Sequence, residues 1–515
     1  MTTSSIGALA RARDELAPAL ASALLFALAF PPFPAVAAAA LCLVPAAVAV
    51  ARLADTAGSW HAAARVGFWF GALGFGLNTT WIVGALTPYT RLALLAFVGV
   101  VASLGVLVGG CLAVLHRARS ATRLPLVVLL PIVWVALEVV LERIPELAFP
   151  WLPLGLATTG ALPIAQLAEV GGVHALSFLI AALNGLIADA VLTGRGLRSW
   201  APRLAAAAAV IGLAYAGGER RLRSLETREL ASVAIVQPNI AQAVRWRPSN
   251  RDSIVARHAA LTRVAFTHSP DLIVWPESAL PGEVVAHRSW SDSVRALAAS
   301  VRAPILLGTI DSAPPSSGGR WYNAAMLAEP GRMFSAQSPY YKAHLVPLIE
   351  RTPLTRVGSV FGIPYFGSYV AGGSARPFEL PFGRTGVLIC FESTFAQRAR
   401  EQRAHGAALL VAITNDAWFG WSNAGIQHLA HLVLRAIETR APVVRAANTG
   451  ISAYIDPTGR VHEPTQRFVP AVRAYAVRTS DVSTVYTASG DIVGLSCAAL
   501  TALLAMWRSA RTRQA

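Results

Sequence analysis

Lysine is almost missing from this chain. Of 44 lysine and arginine residues in 515, one is lysine, Lys342 in "SPYYKAHLVP". A composition that has exchanged lysine for arginine wherever a cation only solvates a surface or pairs with a carboxylate leaves lysine where the exchange fails. Arginine is bulky, planar and effectively always protonated, whereas lysine is a compact ammonium on a slim stem with a tunable proton affinity. Position 342 is therefore a candidate for a packed functional cation; chance survival of one surface lysine is the alternative. Charge is scarce too. Charged residues make up 14% of the chain, against about 25% in ordinary soluble proteins, which argues against a wholly soluble protein. Cysteine is limited to four residues. Cys42, Cys111 and Cys497 lie in apolar runs, where cysteine acts as a small hydrophobe, and Cys390 alone lies in a polar region. No CxxC or Cys/His metal spacing occurs, so neither a disulfide framework nor a metal is expected. His428 and His431 in "QHLAHLV" have a possible metal spacing, but no carboxylate or third histidine converges on them in sequence. No cofactor is expected.

What is present is hydrophobic: 54% of residues. Seven apolar segments precede residue 220, at about 17–34, 36–54, 66–88, 92–115, 124–142, 172–193 and 203–217, with an eighth at about 488–507; most approach the roughly 20 residues that cross a hydrocarbon core. The shortest, 203–217, is Ala-rich. The "PPFP" after the first segment, and the spans that follow at once, argue against a cleaved signal peptide. The formal charge of +16 reads as membrane orientation rather than nucleic-acid binding, because arginines gather in alternate short loops. Arg11 and Arg13 precede the first span; Arg52 and Arg65, then Arg117, Arg119 and Arg123, then Arg195, Arg198 and Arg203 fill every second connection; Arg508, Arg511 and Arg513 end the chain. This alternation predicts both termini in the cytoplasm and the polar region on the outer face. Arg220, Arg221 and Arg223 on the proposed outer side run against it. Asn78, Glu138, Glu142, Asn184 and Asp189 fall within or at the ends of spans, where interhelical hydrogen bonding or snorkelling is expected. The expected domains are a seven-span membrane domain (1–220), a polar domain (221–486), and a last helix with a cytoplasmic tail (487–515).

From about 230 to 480 the pattern changes. "ASVAIVQPN", "DLIVWPES", "APILLGTI", "YNAAMLAE", "RTGVLICFES", "ALLVAITNDAWF" and "ISAYIDPTGR" read as strands, and "RDSIVARHAALTRVAF", "WSDSVRALAASV" and "IQHLAHLVLRAIETRA" have helical spacing. Several strand runs are apolar without alternation, as in a sheet covered on both faces. This is an α/β domain. Three strands end at a chemically useful residue, Glu277 in "LIVWPE", Lys342 in "YYK" and Cys390 in "VLIC", and strand ends are where an α/β scaffold presents reactive groups.

With these motifs in this order, the sequence resembles the nitrilase superfamily, whose members carry a Glu–Lys–Cys triad on an α/β/β/α sandwich. Within it, seven spans before the domain and one after resemble the apolipoprotein N-acyltransferases. "VQPNI", Trp246 in "RWRP", "TNDAWFG", "RAANTGISAYIDPTGR" and, in the membrane half, "FPWLPLG" also match. The chain departs from the family pattern at Leu348 and Ile349 before Glu350, at Phe391 after the cysteine, and around Trp246.

The resemblance implies acyl transfer from a membrane phospholipid to the α-amino group of the diacylglyceryl-modified N-terminal cysteine of an apolipoprotein. It implies Cys390 as nucleophile, Glu277 as base and Lys342 as oxyanion stabiliser, with Glu350 and Glu392 in support and Trp246, Phe391, Asn415 and Trp418 near substrate. A monomer in a bacterial cytoplasmic membrane is expected. The apolar stretches "LAFPWLPLG" (147–155) and "VGSVFGIPYFGSYV" (357–370) are candidates to lie at the bilayer interface. Two other readings stay open: a membrane-tethered carbon-nitrogen hydrolase that uses water as second nucleophile, and a catalytically inactive lipid-binding scaffold.

Overall fold

The computed structural model describes residues 3–33, 36–56, 59–145, 147–193, 197–245, 247–280, 282–317, 319–347, 349–351, 369–373 and 376–507. The chain forms two compact units, Met1–Arg223 with Asp491–Ala515, and Ser224–Gly490.

The first unit is helical, and every apolar segment of the sequence is largely helix. Among the described residues four stretches are long and apolar enough to cross a membrane: Val36–Asp55, Ala93–Thr122, Ala168–Leu192 and Trp200–Ser224, with Ile492–Met506 apolar but shorter. The segment that looked shortest in sequence lies within a helix over Leu197–Ser224. Close helix approach comes from glycine. A Cβ on Gly71 would lie 2.6 Å from the Val108 Cβ, and one on Gly105 2.9 Å from the Phe68 carbonyl oxygen, so helices Trp60–Asn78 and Ala93–Thr122 meet backbone to backbone.

The polar groups within this unit mostly bind backbone. Asn184 Oδ1 accepts from the Leu43 amide at 2.8 Å, and its Nδ2 donates to the Ala39 and Ile180 carbonyls. Asp189 takes the Leu126 and Val127 amides, two of the unpaired donors at the start of helix Leu126–Arg143. Glu138 Oε1 accepts from the Trp134 indole and the Leu154 amide. In "FPWLPLG" the side chains of Trp151, Leu152 and Leu154 are buried, so this stretch packs into the helical unit; Leu147 just before it is exposed. The 357–370 stretch lies almost wholly outside the described residues.

The second unit is a sandwich of two sheets. Its strands are β1 (Arg228–Gln237), β2 (Leu272–Val274), β3 (Ile305–Ser312), β4 (Trp321–Ala328), β5 (Tyr340–Tyr341), β6 (Phe378–Leu380), β7 (Gly383–Ile389), β8 (Leu409–Thr414), β9 (Val443–Ala447), β10 (Ala453–Ile455), β11 (Val461–His462) and β12 (Ala471–Thr479). Among the described residues the sheet orders are β12-β1-β2-β3-β4-β5 and β11-β10-β9-β8-β7-β6. Each has a parallel core, β1-β2-β3 in one and β7-β8-β9 in the other, with antiparallel strands outside it.

The period of two along each strand decides the layers. Val233, Ile235, Leu272 and Val274 join Val387, Ile389, Val411 and Ile413 in the core between the sheets. The alternate residues Ala234, Val236 and Ile273 face outward and pack with Trp290, Val294 and Leu297, the apolar face of helix Arg288–Val301. Each such Val or Leu side chain contributes about 1.5–3 kcal/mol on burial. Helix Ala424–Thr439 is buried along almost its whole length.

Candidate active site

Three strand ends bring the candidate side chains together. Glu277 follows β2 after Trp275 and Pro276, Lys342 follows β5, and Cys390 follows β7. The turn at Glu277 depends on the neighbouring strand β3. Gly308 donates its amide to the Pro276 carbonyl and accepts from the Ala279 amide, and a Cβ on Gly308 would lie 2.6 Å from the Glu277 Cα.

Lys342 is 1% exposed. Its Nζ donates to Glu350 Oε1 at 2.9 Å and to Glu277 Oε1 at 3.3 Å. Burial pulls the ammonium's proton affinity down, but Glu350, Glu277 and Cys390 outweigh it and hold the group well above the usual lysine range. Lys342 is therefore a fixed cation. Asn323 on β4 binds the same two carboxylates, donating from Nδ2 to Glu277 Oε1 at 2.8 Å and to Glu350 Oε1 at 3.0 Å. Its carbonyl also takes the Lys342 amide at 2.9 Å. Sequence reasoning missed Asn323; the available signal was a lone amide in the otherwise apolar run "YNAAMLAE". Glu277 Oε2 accepts the Asn415 amide at 2.9 Å, and Glu350 Oε2 the Val346 amide at 2.8 Å. Both carboxylates are thus anchored by two or more donors.

Cys390 adopts φ 51°, a left-handed conformation that costs a non-glycine residue about 1–3 kcal/mol and clusters at active sites. It opens a 3-10 turn, Cys390–Thr394. Burial pushes the thiol well above its ordinary value and the Glu277 charge adds to this; Lys342 and a hydrogen bond with the Thr414 side chain oppose it. The thiol is therefore neutral at pH 7, and forming the thiolate requires a proton acceptor in the site.

Glu392 is fully buried and does not touch the Lys342 ammonium. Its Oε1 accepts the Ala343 amide at 2.7 Å and its Oε2 the Ile389 amide at 2.9 Å, while the Tyr340 hydroxyl donates to the same carboxylate. It ties the loop after Lys342 to the turn that holds Cys390. The Phe391 ring is buried, edge-on to Phe395 at 5.3 Å. The Asn415 side chain donates to Gln242 and accepts from Asn448, so its backbone amide is what meets Glu277. Trp418 is half-buried on the 3-10 turn Asp416–Phe419, and Trp246 lies outside the described residues. His428 Nε2 meets the Cys390 carbonyl at 3.0 Å.

The arrangement is a half-buried neutral thiol beside a fixed cation and two anchored carboxylates, a set suited to acyl transfer through a thioester. Comparison with known proteins agrees in kind. The carbon-nitrogen hydrolase family matches residues 232–485, and the apolipoprotein N-acyltransferase N-terminal domain matches residues 22–186. The chain is similar to the apolipoprotein N-acyltransferase of Geobacter metallireducens, 33% identical over 458 residues that cover 86% of each protein. It is also similar to those of Gloeobacter violaceus, 33% identical over 70% of this chain and 68% of that one, and of Vibrio cholerae, 28% identical over 71% and 72%. The helical unit is thus a membrane domain and the sandwich a nitrilase-like catalytic domain. With one third of its residues shared along most of its length, and with both domains in place, the chain belongs to the apolipoprotein N-acyltransferase family.

Proposed function

We propose that this chain transfers an acyl chain from a membrane phospholipid to the α-amino group of the N-terminal S-diacylglyceryl-cysteine of lipoproteins. The observation that carries the reading is the Lys342 ammonium, buried against Glu277 and Glu350 beside the Cys390 thiol. Glu277 takes the thiol proton, and the thiolate attacks an ester carbonyl of the phospholipid. Negative charge moves to the carbonyl oxygen, where Lys342 and the backbone N–H of Phe391 stabilise it. Collapse expels the lysophospholipid alkoxide, which takes the proton back from Glu277, and a thioester remains on Cys390. The lipoprotein amine then attacks the thioester, Glu277 takes the amine's proton, and the thiolate leaves and is reprotonated. One carboxylate thus serves both halves of a ping-pong cycle. Glu350 and Asn323 hold the ammonium and the base in register. Two lipid-anchored substrates explain a multi-span membrane domain, and the arginine alternation supports a catalytic domain on the outer face of a bacterial cytoplasmic membrane.

Intact-protein mass spectrometry tests this. Wild type incubated with phospholipid alone is expected to gain a hydroxylamine-sensitive acyl mass that Cys390→Ala lacks. A diacylglyceryl peptide is then expected to discharge it to the peptide amine. Discharge to free fatty acid with the acceptor present would favour a hydrolase, and no adduct on wild type would sink the acyltransferase reading.

The Gly308 contact yields a separate expectation. Gly308→Ala forces the turn at Glu277 away from β3, at a cost of about 1–3 kcal/mol for an overpacked site. Lower thermal stability in detergent is expected together with slower Cys390 acylation. Unchanged acylation would mean that the base tolerates displacement.

A further inference from the structure

We infer that His428 is a positioning residue for the oxyanion-binding peptide. It orients and polarises the peptide group between Cys390 and Phe391 from the side away from substrate. The inference rests on the acyl-transfer reading above and deepens it. His428 Nε2 lies 3.0 Å from the Cys390 carbonyl oxygen. A carbonyl oxygen only accepts, so Nε2 carries the proton and donates. The carbonyl of Cys390 and the N–H of Phe391 belong to one planar trans peptide, with the two bonds pointing in opposite directions. Fixing the carbonyl therefore fixes the direction of that N–H. A donor on the carbonyl also polarises the peptide and strengthens the N–H as a donor, as in any hydrogen-bond chain.

The ring is itself held. His428 is 1% exposed on helix Ala424–Thr439. Its Nδ1 lies 3.2 Å from Arg445 Nη2 and 3.2 Å from Asp416 Oδ1. Arg445 is itself paired to Asp416, so this ion pair fixes the Nδ1 edge of the ring while Nε2 faces the Cys390 carbonyl. Burial raises the Asp416 carboxyl, but Arg445 and His428 outweigh it and pull the group down to about 2, so Asp416 is a permanent anion that anchors the arginine. Asp416 Oδ1 also takes the Thr414 hydroxyl at 2.9 Å, which connects the same network to the side chain that bonds the Cys390 thiol.

The same helix holds the far end of the turn. Arg435 donates to the Ser393 and Thr394 carbonyls at 3.3 and 3.1 Å. One helix therefore grips both ends of a turn whose first residue is in a left-handed conformation. The grip at Cys390 falls on the peptide that meets the oxyanion.

The test separates reactions that build an oxyanion from one that does not. Alkylation of Cys390 by iodoacetamide is a displacement at carbon and forms no oxyanion; acylation by phospholipid forms one. His428→Leu keeps the shape and removes the donor. Acylation is expected to fall about 10- to 100-fold, less than the loss of a whole oxyanion-hole donor, with KM for phospholipid and the alkylation rate both little changed. His428→Gln, whose amide can donate in place of Nε2, is expected to recover most of the acylation rate. Acylation of His428→Leu at the wild-type rate would overturn the inference and leave the acyltransferase reading intact. An equal fall in acylation and alkylation, or no recovery in His428→Gln, would also overturn it, since the ring would then be acting on the nucleophile or on the fold. A wild type that alkylates but never acylates would overturn the acyl-transfer reading and this inference with it.

Discussion

Lys342→Arg is expected to slow acylation of Cys390 by about two to three orders of magnitude, the size of effect seen when a preorganised oxyanion donor is lost, although the substitution keeps the charge. The ammonium is 1% exposed and already lies within 2.9 and 3.3 Å of two carboxylates. A guanidinium is wider and planar, and prefers to engage carboxylates through two parallel bonds. In this space it would seize Glu277 and Glu350 as a bidentate partner and push on Asn323, which donates to both. Glu277 would then be held as an ion-pair partner rather than as a base, and no compact donor would face the developing oxyanion. Overpacking adds a stability loss of about 1–3 kcal/mol, so the assay pairs single-turnover acylation, read by intact mass, with thermal unfolding in detergent. A variant that acylates at the wild-type rate would make the single lysine a chance survivor in an arginine-biased chain.

Glu277→Gln is expected to reduce acyl transfer by about 10²- to 10⁴-fold, the usual worth of a general base, while moving the thiol's titration in the opposite sense. Gln keeps an oxygen for Asn323 and Lys342, but turns an NH₂ toward the Asn415 amide, which now donates to Oε2 at 2.9 Å; two donors face each other there. The sign for the thiol follows from its causes. Burial raises it most and the Glu277 charge raises it further, while Lys342 lowers it. Removing the Glu277 charge removes one raising influence and leaves the lowering one. The pH at which Cys390 becomes half alkylatable is therefore expected to fall in Glu277→Gln, although acylation collapses. A midpoint that stays or rises, or acylation that survives, would show that Glu277 is not the group that takes the thiol proton.

Much of this protein was determined by the sequence alone. Apolar runs of membrane length need only local composition, and their described residues are largely helix. The helices Arg251–Phe266, Arg288–Val301 and Ala424–Thr439 follow from their spacing. Strands β1, β3, β4, β7 and β8 follow from β-branched and apolar runs bounded by polar turns. Glu277, Lys342 and Cys390 could be named as candidates from the sequence because each closes a strand in a recognisable motif, and Lys342 because nothing else in the chain is lysine.

Other elements depended on partners far away in the chain. Strand β9 contains Arg445, which reads as a surface residue until Asp416 and His428 are seen to meet it inside the sandwich. Strand β12, with Arg473 and Arg478 among alanines and valines, forms the edge of a sheet, and its pairing with β1 crosses most of the domain. Asn323 looked like an ordinary strand amide, and His428 like half of an incomplete metal pair. Their roles come from geometry that only the packed sheets create: Asn323 lies 46 residues from Glu277 in sequence, His428 lies 38 from Cys390, and Asn415 lies 138 from Glu277. Local sequence sets which segments bury apolar side chains and which carry a reactive group. Which donor reaches which carboxylate is decided when the two sheets close on one core, because a hydrogen bond of about 3 Å depends on the register of strands that no local pattern encodes.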